Sequence, residues 1–280
     1  MKYSDEAMYE RIVVPLDGST ASEYALPYAA ELATGLGSRF YVIRVCEPVL
    51  GDKQPHCQAY LNSVVKEMQI QFGDAGAAPA SLEQEVLTGR TATEILRYAD
   101  EKNTGLIVMS RHGFSDEGPW FLGSIADKVL RATKHSVLLV KTLPGEAAGK
   151  GEKLIKRILL PLDGSSIGAA AIPGASAVAR ALGAELVLFR VVVPSSLHRE
   201  AFQSFITPSM EELVTEAQEG EEERLSAAAD YLTDMQQSIT KLGIATSVVT
   251  VLGYPPDQII DYAGQHEIDL IAMSSHGRTR

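Results

Sequence analysis

Short apolar runs alternate along this chain with longer segments of helical periodicity. Residues 12–16, 40–45, 83–87 and 106–109 and the run Val137 to Val140 predict five strands. The first, rich in β-branched residues and ending at Asp17, is of the kind buried on both faces of a sheet. Between the strands, helices are predicted from Thr20 to about Leu36 with a stop at Gly37, near Tyr60 to Phe72, up to about Glu101, and from Ser124 onward. Thr20 with Glu23, and Thr91 with Glu94, have the spacing of capping boxes. Pro48, Gly51 and Pro55 read as an irregular stretch after the second strand.

The pattern then repeats. Arg11 to Ser19 reads RIVVPLDGS and Arg157 to Ser165 reads RILLPLDGS, identical at seven of nine positions. Leu106 to Gly113 reads LIVMSRHG and Leu270 to Gly277 reads LIAMSSHG, identical at six of eight. Two such matches in the same order mark an internal duplication. The offset grows from 146 to 164 residues between the blocks, so the second copy holds 18 more residues in its middle. The added length is read in the segment Glu211 to Leu242, where Leu225, Leu232, Ile239 and Leu242 recur at near-heptad spacing and predict a long amphipathic helix lying on its own sheet. Leu143 to Lys153, rich in Pro, Gly, Ala and charge, reads as a linker, which places domain one at 1–148 and domain two at 149–280.

Strands alternating with helices predict right-handed βαβ units and a parallel sheet covered on both faces. A ligand then sits beyond the carboxyl ends of the strands, at the switch in strand order. Asp17, Val45 and the loop from Ser110 would surround that crevice. Asp17 and Asp163 also suit a plainer role, capping the next helix. Ser19 and Ser165 lie in no nucleophile elbow and are read as helix caps, so no catalytic residue is assigned. His112 and His276 are single histidines in Gly-adjacent turns with no second ligand at metal spacing, so no metal site is assigned either.

The balance of 25 Lys and Arg against 36 Asp and Glu gives a net charge of −11, which repels a phosphate backbone, so nucleic acid is not expected as a partner. No apolar run approaches the roughly 18 residues of a membrane span, and Met1 to Glu10 has no secretory core, so a cytoplasmic location is expected. Cys46 and Cys57, too sparse for a disulfide framework, are read as reduced thiols.

The PLDGS block after strand one, the M-S-x-H-G block after strand four and the later Gly-Ser resemble the universal stress protein family over nearly the whole chain. The resemblance implies two Rossmann-like domains of the adenine nucleotide alpha hydrolase-like type. Each would have a five-stranded parallel sheet of order 3-2-1-4-5, the second lacking its last helix and strand, about 25 residues. Nucleotide-binding members carry the loop pattern G-x2-G-x9-G-[S/T], matched here by Ser110, Gly113, Gly123 and Ser124, with Ser110 in place of the first glycine. By the same resemblance, Pro15 is among the nucleotide-binding residues, Asp17 stands near the adenine or ribose, and Val45 and Met109 lie against the base. Ser110, His112 and Gly113 would lie near the sugar and α-phosphate, and Gly123, Ser124 and Ile125 would hold the distal phosphates. The matching positions of the second copy are Asp163, Val191, Met273, Ser274, His276 and Gly277.

The expected ligand is ATP, with Mg2+, or AMP, bound as a regulatory effector of a stress-response protein that is at most a slow ATPase. The resemblance also implies a homodimer through the edge strand Val137 to Val140. Asp116 and Glu117, inside the phosphate loop, oppose a polyphosphate and favour a different class of function. That alternative is a scaffold that binds no nucleotide and acts through protein contacts.

Overall fold

The computed structural model describes residues 8–47, 54–75, 79–111, 122–141, 153–194 and 210–274. The chain divides into two compact units, Met1–Leu154 and Ile155–Arg280. The expected boundary near Gly149 lies outside the described residues.

The first unit runs β1 (Arg11–Leu16), α1 (Thr20–Glu23), α2 (Ala25–Leu36), β2 (Arg39–Cys46), α3 (Gln54–Ala75), β3 (Ser81–Thr88), α4 (Thr91–Glu101), β4 (Leu106–Ser110), α5 (Ser124–Ala132) and β5 (Ser136–Val140). Its five strands are parallel in the order β3-β2-β1-β4-β5. Alternate residues of each strand face opposite sides. Val13, Tyr41, Ile43, Ile107 and Met109 meet Ile95, Tyr98 and Ala99 of α4 and Ala126 and Val129 of α5. The other face is covered by α2 and α3, whose Ala29, Leu32, Leu61 and Met68 are buried.

The second unit runs β6 (Arg157–Pro161), α6 (Ser166–Ala169), α7 (Ile172–Leu182), β7 (Glu185–Val192), α8 (Met210–Thr240), β8 (Thr246–Leu252), α9 (Pro255–Gln265) and β9 (Leu270–Ile271). Its sheet has four parallel strands, β8-β7-β6-β9, so this domain is the shorter of the two. The long amphipathic helix is α8, and it packs on β7 and β8 of its own unit.

Local chemistry moves several element ends from the expected positions. Of the two hydroxyls read as caps for α1, Ser19 holds the cap and Thr20 does not, because the Ser19 side chain accepts from the Ser22 amide. The helix pauses at Tyr24 before α2, which ends where Gly37 takes a left-handed φ of 65°. The second expected capping box does not form: Arg90 caps α4 without a side-chain bond, and Thr91 donates to Glu47 at 3.0 Å instead. Helix α3 starts at Gln54, well before Tyr60, since Pro55 falls in its first turn, where a missing N–H costs nothing.

The cysteines also depart from expectation. Cys46 ends β2, Cys57 lies in the first turn of α3, and the two are joined in a disulfide, with Cα atoms 6.7 Å apart. Sparsity argues against a framework of bridges and says nothing about one pair brought together by packing.

Candidate functional site

The DG turn after β1 is where the first site is built. Gly18 has φ 85°, a conformation open to glycine and strained for other residues. This turn lets the Asp17 carboxylate reach forward to Ser19. Its Oδ1 accepts from the Ser19 amide at 2.8 Å and the Ser19 hydroxyl at 2.6 Å. The Ser19 Oγ in turn accepts from the Ser22 amide at 3.1 Å, and the Ser22 hydroxyl donates to the Ser19 carbonyl at 2.8 Å. Asp17 therefore takes the plainer of the roles considered from sequence, bracing the start of the helix through Ser19.

The second domain repeats this turn. Asp163 Oδ1 accepts from the Ser165 amide at 2.9 Å and the Ser165 hydroxyl at 2.7 Å, while Gly168 donates its amide to Ser165 Oγ at 2.9 Å. The hydrogen bond from the Ser165 hydroxyl, then that from its amide, holds the Asp163 carboxyl below the usual carboxylate range. Asp163 is exposed, whereas Asp17 is half-buried.

Strand order brings the other side of the first site close. β1 lies between β2 and β4, so the strand order of the first domain's sheet reverses between β1 and β4. Val13 pairs with Ile107, which sets the β1 end beside Met109 and Ser110 of β4. Leu16 pairs with Arg44, which sets Asp17 beside Val45 of β2. Met109 is in the buried core and Val45 packs at its margin. Pro15, two residues beyond Val13, continues that face, so Pro15, Val45 and Met109 give the crevice an apolar floor. Ser110 is buried at the β4 end.

Across the crevice stands α5. Its cap, Gly123, donates its amide to the Arg111 carbonyl at 2.9 Å, so that N–H is committed. The following amides, of Ser124 and Ile125, belong to the first turn and have no intrahelical acceptor. Ser124 is exposed and Ile125 packs at the margin of the core. His112, Gly113, Asp116 and Glu117 lie outside the described residues, as do His276 and Gly277.

The corresponding positions of the second domain converge less. Val191 packs at the margin of its core cluster, as Val45 does. Met273, however, is 60% exposed, where Met109 is 6% exposed. The Ser274 hydroxyl donates to the Ile167 carbonyl at 2.6 Å, tying the chain after β9 to α6. Among the described residues, no group of three His, Cys, Asp or Glu could hold a metal ion, and no helix is long and apolar enough to cross a membrane.

Sequence reading missed Arg44. Its guanidinium occupies the space that a side chain at Gly18 would need, and stacks 4.6 Å from the Tyr60 ring centroid. The Tyr60 hydroxyl donates to Glu23 Oε1 at 2.7 Å. Burial, then this bond to a carboxylate, raises the Tyr60 pKa well above the ordinary phenol value. Arg190 fills the same place over Gly164 and lies 5.1 Å from Tyr231. The signal in the sequence was the shared arginine of VIRV and LFRV at the offset of 146.

Comparison with known proteins agrees with this fold. The family description "Universal stress protein family" matches residues 8–141 and 154–280. A universal stress protein of Methanocaldococcus jannaschii is 29% identical over 149 residues, 49% of this chain and 84% of that protein. One from Thermus aquaticus is 31% identical over 139 residues, 48% of this chain and all of that protein. A universal stress protein structure from Archaeoglobus fulgidus covers 96% of this chain and 86% of its own at TM-score 0.62 and 19% identity. A functionally unknown protein of Pseudomonas aeruginosa covers 96% of this chain and 83% of its own at TM-score 0.63 and 16% identity. With both copies matched over most of their length, the chain belongs to the universal stress protein family, as a tandem pair of its domains.

Proposed function

We propose that the first domain binds one adenine nucleotide, ATP or AMP, as a regulatory ligand in a stress-response protein. The observation that carries this reading is the convergence, at the switch between β1 and β4, of a fixed carboxylate, an apolar floor and open helix amides. The floor of Pro15, Val45 and Met109 suits the flat face of a base. Asp17 Oδ2 accepts no hydrogen bond among the described residues, which leaves it for a ribose hydroxyl or the exocyclic amine. The amides of Ser124 and Ile125, at the positive end of α5, suit phosphate oxygens. Ser110, His112, Gly113 and Gly123 would shape the loop between sugar and phosphates.

Turnover is not part of this proposal. The Ser19 hydroxyl is engaged twice in holding the turn, donating to Asp17 and accepting from the Ser22 amide, which gives it a structural task. Mg2+ arriving with ATP would be held by phosphates and water, the usual manner for this cation, since the described residues supply no acidic cluster.

The test is direct. Heating the purified chain, removing the precipitate and chromatographing the supernatant releases adenine nucleotide at close to one per chain. An empty supernatant, followed by no calorimetric response to added ATP or AMP, would overturn the reading. It would leave in its place a scaffold acting through protein contacts, for which β5, the terminal strand of its sheet, offers a pairing edge at Val137 to Val140.

A further inference from the structure

Both domains brace the end of their second strand against the following helix, with one chemical difference. Arg190 follows Arg44 by 146 residues, and Tyr231 follows Tyr60 by 171. At the same two offsets, Val192 answers to Cys46 and Ala228 to Cys57. The helix register is supported by Leu61 and Leu232, also 171 apart and both 0% exposed. Cys46 and Cys57 are each 6% exposed, and Val192 and Ala228 are 8% and 1% exposed. The first domain thus places a thiol pair where the second has an aliphatic pair.

The position of the bridge gives it a route to the site. Arg44 and Cys46 are two residues apart on β2 and share a face; Cys57 and Tyr60 are three apart on α3 and share a face. A bond between the sulfurs pins the first turn of α3 to β2 one turn away from Tyr60. Tyr60 carries Arg44 on its ring and holds Glu23 of α1 through its hydroxyl. Arg44 covers Gly18, the residue between Asp17 and Ser19. The brace therefore runs from the sulfurs to the turn that orients Asp17.

We propose that Cys46 and Cys57 are a reversible redox modification site whose disulfide stiffens the Asp17–Ser19 turn and, resting on the nucleotide reading above, tightens ligand binding in the first domain alone. The oxidant is a small-molecule disulfide. One cysteine thiolate displaces a thiol from it to give a mixed disulfide, and the other cysteine displaces the second thiol. Two electrons and two protons leave the protein in the two released thiols. Because both sulfurs are buried, exchange proceeds when the first turn of α3 lifts, and closing the bond removes that opening.

The full chain is incubated with oxidised or reduced glutathione, then alkylated in denaturant and weighed. The oxidised form takes no label and the reduced form takes two. In parallel, amide hydrogen exchange is followed at residues 17–23 and at the corresponding 163–169. Exchange at 17–23 is slowed about tenfold by oxidation, while 163–169 is unchanged. A Cys46→Val, Cys57→Ala variant, which gives the first domain the second domain's pair, makes 17–23 insensitive to the reagent. Two labels after oxidation, or equal exchange at 17–23 in both states, would overturn the proposal. ATP affinity measured on both forms separates the two readings: no binding in either state removes the nucleotide reading, and the exchange data still decide the redox site.

Discussion

The carboxylate of Asp163 is exposed, yet it is held in place by two hydrogen bonds from one residue, Ser165. Those bonds favour the ionised form and lower its pKa. The linkage follows in sign: their contribution to stability is complete above the ordinary carboxylate range and is lost as pH falls through the lowered value. Solvent screening at this exposed site keeps the contribution small, so the titration itself is the sharper measurement. A carboxyl-detected NMR titration should give Asp163 a midpoint below that of an ordinary aspartate, and Ser165→Ala should raise it. An unchanged midpoint in that variant would show that the turn is not what holds the charge. Turn chemistry of this sort was legible in the sequence, because Asp, Gly and Ser act on neighbours one to three residues away. Arg44 was not, because what it covers and what it stacks on lie 26 residues before it and 16 after it.

Among the elements, α8 shows how far periodicity carries. Its buried stripe includes Ala228, Leu232 and Ile239, with Leu225 half-buried, so the near-heptad pattern does mark the side facing β7 and β8. Leu242 fits the same spacing but lies beyond the helix end at Thr240 and is 49% exposed. Leu232→Ala should therefore destabilise the second domain by about 2–5 kcal/mol, as for other fully buried leucines, and Leu242→Ala should change it by less than about 0.5 kcal/mol. Denaturant unfolding of the two variants measures the difference; equal effects would mean that the stripe does not pack as described. The strands were legible for a related reason, since residues such as Ile12, Val13, Phe40 and Ile107 are buried along runs too short for helices. Helix starts were read less well. The hydroxyls of Thr20 and Thr91 fit a capping pattern, but the cap positions belong to Ser19, which was also read as a cap, and to Arg90, which was not. The disulfide was not legible either, because only the packing of α3 on β2 brings its two halves together.

At the scale of the molecule, the two domains have unequal cores although they share a plan. In the first, Ile95, Tyr98 and Ala99 of α4 are buried beneath α5, and β5 extends the sheet past β4. The matching residues of α9, Ile259, Tyr262 and Ala263, are only partly buried, and no residue of α9 is fully buried. Ile260 and Ile271 remain 49% and 38% exposed, and β9 ends its sheet after a two-residue strand. The smaller apolar area withdrawn from water around α9 and β9 leaves the second domain with less to offset its chain entropy. Unfolding in urea should therefore proceed in two steps, the second domain first. Native-state hydrogen exchange resolves the order: amides of β6 to β9 should lose protection at lower urea than those of β1 to β5. If all nine strands exchanged together at one midpoint, coupling between the domains would outweigh the difference in their cores, and each domain's stability could no longer be reasoned about from its own sheet.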